Sequence, residues 1–62
     1  MNVPDKVKVE NWMYTEKEEY LKECEDQQDA LNYLVMDANG ECGTNLSEEE
    51  LTKIAKEVLG LT

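Results

Sequence analysis

Four carboxylates with helical spacing are the first candidates for chemistry in this sequence. Glu16, Glu19, Glu23 and Asp26 follow one another at intervals of three, four and three residues, which would place all four on one face of a helix. Because like charges at this spacing weaken a helix, the row predicts a surface that binds a basic partner, such as a protein that normally holds nucleic acid. The alternative is a solvated face that only keeps a small protein in solution.

Two aromatic side chains lie just before this row. Trp12 and Tyr14 flank a methionine, and aromatic and methionine side chains are enriched in the centres of protein interfaces. We therefore predict that both contribute to the same partner-binding surface. The alternative for Trp12 is a place in the hydrophobic core, and the two interpretations are compatible if one edge of the ring stays exposed.

The composition argues against several other functions. The 62 residues include 15 acidic and 6 basic side chains and no His, for a formal net charge of −9. A basic patch that could bind nucleic acid directly is missing, and so is the side chain that most often performs acid–base catalysis near neutral pH. We therefore expect a protein that is not an enzyme, that uses no cofactor and whose partner is another protein with a basic surface.

A pattern in the middle of the chain resembles the calcium-binding loop of EF-hand proteins. With Asp37 as position 1, Asn39, Glu41 and Glu48 occupy positions 3, 5 and 12, where that loop supplies ligands. Position 6, where the EF-hand loop has glycine, is Cys42. The resemblance implies a metal site formed by these four residues, and the alternative is an ordinary helix–loop–helix turn without metal.

Hydrophobic spacing and capping residues predict a mostly α-helical domain. Thr15 followed by Glu18 has the pattern of a capping box, so a helix is predicted to begin at Glu16. The helical region continues to about residue 38, either as one long helix or as two helices with Asp26 capping the second.

The end of the chain has the clearest signals. Ser47 and Glu50 form a second capping-box pattern, an apolar helical face follows, and Gly60 is a stop residue. These features predict a terminal helix over about 48–59, after a loop at 39–46.

The first 14 residues are predicted to form an extended arm or a short strand. Val7 and Val9 alternate with charged residues, which is the pattern of a one-sided strand. A single strand needs a partner, so these two valines would pack on a helix, pair with another short segment of the chain, or pair with a second copy of the chain. The chain as a whole is one small acidic domain, with segments at 1–14, 15–38, 39–46 and 47–62.

These expectations lead to three functional hypotheses. The first is a small acidic module that inhibits or modulates a basic or nucleic-acid-binding host protein, as nucleic-acid mimics encoded by phages and mobile elements do. The second is a calcium-binding module at 37–48, and the third is a structural homodimer or small subunit.

The expected location is the cytoplasm. The sequence shows no targeting signal and no apolar run long enough to cross a membrane, so a membrane partner is not expected. In that compartment Cys24 and Cys42 are predicted to be free thiols, and a disulfide between them is the alternative.

Overall fold

The structure is a computed structural model and describes residues 3–61. This part of the chain forms three α-helices and contains no strand: α1 (Asp5–Glu23), α2 (Gln27–Cys42) and α3 (Glu48–Leu59). The helices pack into an elongated body of 37 × 19 × 19 Å. The predicted mostly α-helical fold class is therefore confirmed. The first two residues of the predicted arm, together with Thr62, lie outside the described residues.

Helix α1 replaces most of the predicted N-terminal arm. It begins at Asp5, directly after Pro4, whose carbonyl oxygen accepts a hydrogen bond from the Lys8 amide at 3.0 Å. Successive residues of a helix are about 100° apart, so Val7 and Val9 point to opposite sides. Val9 is fully buried, whereas Val7 is 41% exposed. The strand prediction was wrong because two valines separated by one residue also fit a helix that has apolar side chains on both sides.

The predicted helix start at Glu16, with Thr15 as its cap, is also wrong. Thr15 lies in the middle of α1, where its Oγ1 donates a hydrogen bond to the carbonyl oxygen of Asn11 at 3.0 Å. This bond to the preceding turn is common for a threonine inside a helix. The capping-box pattern is without effect here because α1 has already begun ten residues earlier.

The predicted helical region from 16 to 38 is broken rather than continuous. Cys24 adopts an extended conformation and ends α1, and Asp26 is the N-cap of α2. Its Oδ1 accepts a hydrogen bond from the Asp29 amide at 2.9 Å. Of the two alternatives, the one with Asp26 as a cap is therefore confirmed.

Helix α2 ends later than predicted. It continues through Gly40 to Cys42, and Gly43 takes the left-handed conformation with φ 65° while its amide donates to the Asn39 carbonyl oxygen at 2.9 Å. Glycine adopts this conformation without the steric cost of a Cβ atom. The loop between α2 and α3 consequently begins at Gly43, whereas the sequence predicted a loop that begins at residue 39.

Helix α3 has the predicted bounds. Ser47 Oγ accepts a hydrogen bond from the Glu50 amide at 3.2 Å, and Gly60 follows the last turn with φ 73°. The Leu61 amide donates to the Lys56 carbonyl oxygen at 2.8 Å, which closes the helix in the manner of a Schellman motif. The serine cap and the glycine stop that the sequence predicts are both formed, so α3 begins and ends where predicted.

All three helices contribute to one hydrophobic core. Side chains of Trp12, Tyr20, Val35, Leu46 and Leu59 pack partly buried against it. The buried members are Val9 and Met13 from α1, Leu31, Leu34, Ala38 and Cys42 from α2, and Leu51, Ile54, Ala55 and Val58 from α3. The pair formed by α2 and α3 is thus covered by a third helix, which supplies the apolar area that two helices alone lack.

The opposite environments of Val9 and Val7 generate a stability prediction. Val9→Ala should lower the free energy of unfolding by about 1–3 kcal/mol, because it removes buried methyl groups and leaves a cavity. Val7→Ala, the matched control, should change it by less than about 0.5 kcal/mol. Urea denaturation followed by circular dichroism measures both. Equal losses in the two variants would contradict the helical assignment of this segment.

Candidate functional site

Three of the predicted partner-binding carboxylates come together in a shallow groove between α1 and α2. Glu16, Glu19 and Glu23 line it from α1, and Asp37 adds a fourth carboxylate from α2. Glu19, Glu23 and Asp37 are exposed, and Glu16 is half-buried. We call these four residues, together with the Tyr20 side chain between them, the acidic groove. Their proximity concentrates negative potential on one side of the molecule.

Tyr20 holds the two walls of the acidic groove together. Its hydroxyl donates a hydrogen bond to Asp37 Oδ2 at 2.7 Å, which joins α1 to α2. Its ring meets Trp12 edge-on, with 6.2 Å between ring centroids and an interplanar angle of 61°. Trp12 itself is half-buried and packs against the core. Tyr20 therefore positions Asp37 beside α1, and its own ring is supported by Trp12 and the core.

The surroundings of Tyr20 alter its acidity. Burial raises the pKa of its phenol well above the usual value, and the hydrogen bond to Asp37 and the charges of Asp37, Glu16 and Glu41 raise it further. The phenol consequently stays neutral and continues to act as a hydrogen-bond donor well into alkaline solution.

Three predicted members of the partner-binding surface, Asp26, Tyr14 and the half-buried Trp12, lie outside the acidic groove. Asp26 follows the end of α1 and uses its carboxylate to cap α2, so the helical spacing that linked it to Glu23 does not continue to it. Tyr14 lies on another side of α1 and is 51% exposed, with the Lys17 Nζ 5.2 Å from its ring centroid. The six residues predicted from the sequence therefore do not form one surface.

Asp37 is the groove member that sequence reasoning missed. The sequence pattern associated it with a metal loop, and nothing in its local spacing connects it to Glu16 or Glu23, which are 21 and 14 residues away. Only the packing of α2 against α1 brings it to Tyr20.

The loop that an EF-hand-like site requires is not formed. Asp37, Asn39 and Glu41 belong to α2, and Glu48 is the first residue of α3. Asn39 uses its whole amide to brace the α2–α3 connection: Nδ2 donates to the Leu46 carbonyl oxygen at 3.1 Å, and Oδ1 accepts from Thr44 Oγ1 at 2.8 Å. Over residues 3–61 no group of three or more His, Cys, Asp or Glu side chains is arranged so that it could hold a metal ion.

The two cysteines lie at opposite ends of α2 and are free. Cys24 precedes the helix and Cys42 is its last residue, so about 24 Å of helix separates them. A disulfide, which requires Cα atoms within about 7 Å, is therefore ruled out within one chain. Burial raises the pKa of the Cys42 thiol, and desolvation and neighbouring carboxylates raise the pKa of the Cys24 thiol.

Comparison with known proteins adds no relative. No family model matches the chain, and neither the curated proteins nor the solved structures contain a match. Among the described residues, no helix has the length and apolar character needed to cross a membrane.

The raised pKa of Tyr20 predicts a loss of stability in alkaline solution. In the unfolded chain this phenol ionises near pH 10, whereas in the folded chain it stays protonated to higher pH. The stability gained from protonated Tyr20 is therefore complete below about pH 10 and is lost as the pH rises further toward the folded-state pKa. Tyr20→Phe should show a shallower decline in unfolding free energy between about pH 9 and pH 11, measured by urea denaturation. An unchanged slope in this variant would contradict the assignment.

The bracing role of Asn39 is tested by Asn39→Asp. A carboxylate at this position cannot donate to the Leu46 carbonyl oxygen, so the free energy of unfolding should fall by about 1–3 kcal/mol. Asn45→Asp, an equal charge change at an exposed position in the same loop, should alter it by less than about 0.5 kcal/mol. Urea denaturation of the two variants provides the measurement. A loss in Asn39→Asp no larger than the loss in Asn45→Asp would contradict the bracing role.

Proposed function

We propose that this protein is a small acidic protein-binding module that modulates or inhibits a partner with a basic surface, which it engages through the acidic groove. The observation that carries the proposal is the convergence of carboxylates from two helices, Glu16, Glu19 and Glu23 from α1 and Asp37 from α2, around one ordered phenol. If the carboxylates served only to keep the protein in solution, acids from different helices would not need to line the same groove.

The net charge of the chain supports this proposal. At −9, the whole molecule attracts basic surfaces at long range, and the groove concentrates that field at one place. Nucleic acid is not proposed as a direct ligand because its phosphates would be repelled by the same carboxylates. A protein whose lysines and arginines normally contact phosphates presents the complementary charge, and the groove would then occupy that surface as a nucleic-acid mimic.

The order of the groove supports binding by preformed geometry. Trp12 and Tyr20 pack α1 against the shared core, and Tyr20 positions Asp37 through its hydrogen bond. Carboxylates whose backbone positions are set before binding lose less conformational freedom on binding than carboxylates on a mobile segment. A basic side chain that enters the groove would meet acceptors from both walls and the phenol ring between them.

A binding role is proposed in preference to catalysis. The nucleophilic side chains best suited to covalent chemistry are Cys24 and Cys42, and both have raised thiol pKa values, which reduces the thiolate that such chemistry requires. We propose a cytoplasmic location, in which two free cysteines at separate positions remain reduced.

The proposal predicts binding that is sensitive to salt and to groove charge. The triple variant Glu16→Gln, Glu19→Gln, Glu23→Gln should lose partners that the parent chain captures from a lysate at low salt. For an identified partner, association should slow at least about tenfold, because exposed charges mainly accelerate encounter. Mass spectrometry identifies the captured proteins, and surface plasmon resonance at increasing salt measures the rates, with screening expected over about 8 Å at physiological ionic strength.

The matched control is a triple variant on α3, Glu49→Gln, Glu50→Gln, Glu57→Gln. These three glutamates are exposed and lie outside the acidic groove, so the net charge changes equally while the groove is intact. Retained binding in the control and lost binding in the groove variant support the proposal. Equal losses in both, or a complex insensitive to salt, would show that the groove is not the binding surface.

A further inference from the structure

A second surface on α1 faces away from the core and is independent of the acidic groove. Val7, Tyr14 and Leu21 recur every seven residues, and two turns of helix separate each from the next. Their exposed fractions are 41%, 51% and 37%. These three residues form one line along the helix, which we call the outer stripe. The opposite side of α1 already buries Val9 and Met13.

The spacing of the outer stripe is that of a helix that packs against another helix. Apolar residues repeated every seven positions form the seam of paired helices, with a second row of contact positions between them. In α1 that second row is occupied by Glu10 and Lys17, and both side chains are half-buried. The seam therefore consists of one apolar row, the outer stripe, and one charged row. In the charged row, Glu10 lies in the first half of α1 and Lys17 in the second half.

Charge distinguishes this surface from the rest of the molecule. Two lysines and two glutamates flank the outer stripe on α1, a local net charge of zero, whereas the whole chain carries −9. These residues are Glu10, Lys17, Glu18 and Lys22, and Lys6 instead lines a pocket with Glu50 and Glu57 of α3. Two copies of the chain repel each other over most orientations, and this is a surface on which they approach without that repulsion.

We propose that the outer stripe binds the outer stripe of a second copy of this chain, with the two α1 helices antiparallel. A two-fold axis near Tyr14 would place Val7 of each copy opposite Leu21 of the other. The same orientation brings Glu10 toward Lys17 of the second copy, whereas a parallel arrangement would bring Glu10 toward Glu10. Opposite charges at these seam positions therefore select the antiparallel form.

The size of the outer stripe sets the expected strength. Helix α1 has 19 residues and is about 28 Å long, and one face of a single helix is smaller than the roughly 800 Å² per partner of a standard stable interface. The dimer should therefore be reversible and concentration-dependent. Both acidic grooves stay accessible in this arrangement, so the dimer does not depend on the function proposed above.

Sedimentation equilibrium of the full chain over a range of concentrations up to about 1 mM tests the proposal, since weak dimers dissociate on dilution. The parent chain should shift from monomer to dimer mass. Tyr14→Lys should raise the dissociation constant at least about tenfold. The control Tyr33→Lys makes the same substitution on α2 at a tyrosine with the same exposed fraction, 51%, and should leave it unchanged. A parent chain that stays monomeric, or equal effects of the two variants, would overturn the proposal.

A charge exchange tests the antiparallel orientation. Glu10→Lys alone places like charges together and should weaken the dimer, and adding Lys17→Glu should restore the dissociation constant to within about threefold of the parent value. Circular dichroism confirms that each variant remains helical. A double variant that dimerises no better than Glu10→Lys would overturn the antiparallel arrangement.

Discussion

Complete burial of Val9 and Met13 is the constraint on which the rest of the structure depends. A chain of 62 residues has little apolar area, and α2 and α3 leave one side of their shared core open. The two buried residues of α1 cover that side and thereby fix how α1 is rotated about its own axis. That rotation places Glu16 and Tyr20 beside α2 and directs Tyr14 away from it.

The same rotation gives α1 two apolar sides, and this explains why the sequence did not reveal it. Sequence patterns identify a helix by one apolar stripe opposite a polar one, and α1 lacks that contrast because Val7 and Val9 lie on opposite sides. Helix α3 has a single apolar face, a serine cap and a glycine stop, so each local signal supports the others and its bounds could be predicted. The bend at Cys24 was open to two interpretations, and the cap formed by Asp26 decides between them.

The candidate site was predictable only as far as one helix extends. Spacing alone brings Glu16, Glu19 and Glu23 together, because residues three and four apart in a helix are neighbours. Asp37 required knowledge of how α2 packs against α1, which no local pattern contains. Asn39 shows the reverse error: its amide fits a pattern of oxygen ligands, but in the folded chain both ends of that amide are engaged in holding the loop.

The edge-on contact between Trp12 and Tyr20 also has a spectroscopic consequence. Trp12 is the sole tryptophan of the chain, and it lies where α1 meets the groove and the core. Its fluorescence therefore has a single origin, and excitation absorbed by Tyr20 at a centroid distance of 6.2 Å is transferred to it efficiently. Because Trp12 and Tyr20 both belong to α1, the transfer reports, without any attached dye, whether α1 is helical, and the emission wavelength reports whether Trp12 is packed against the core.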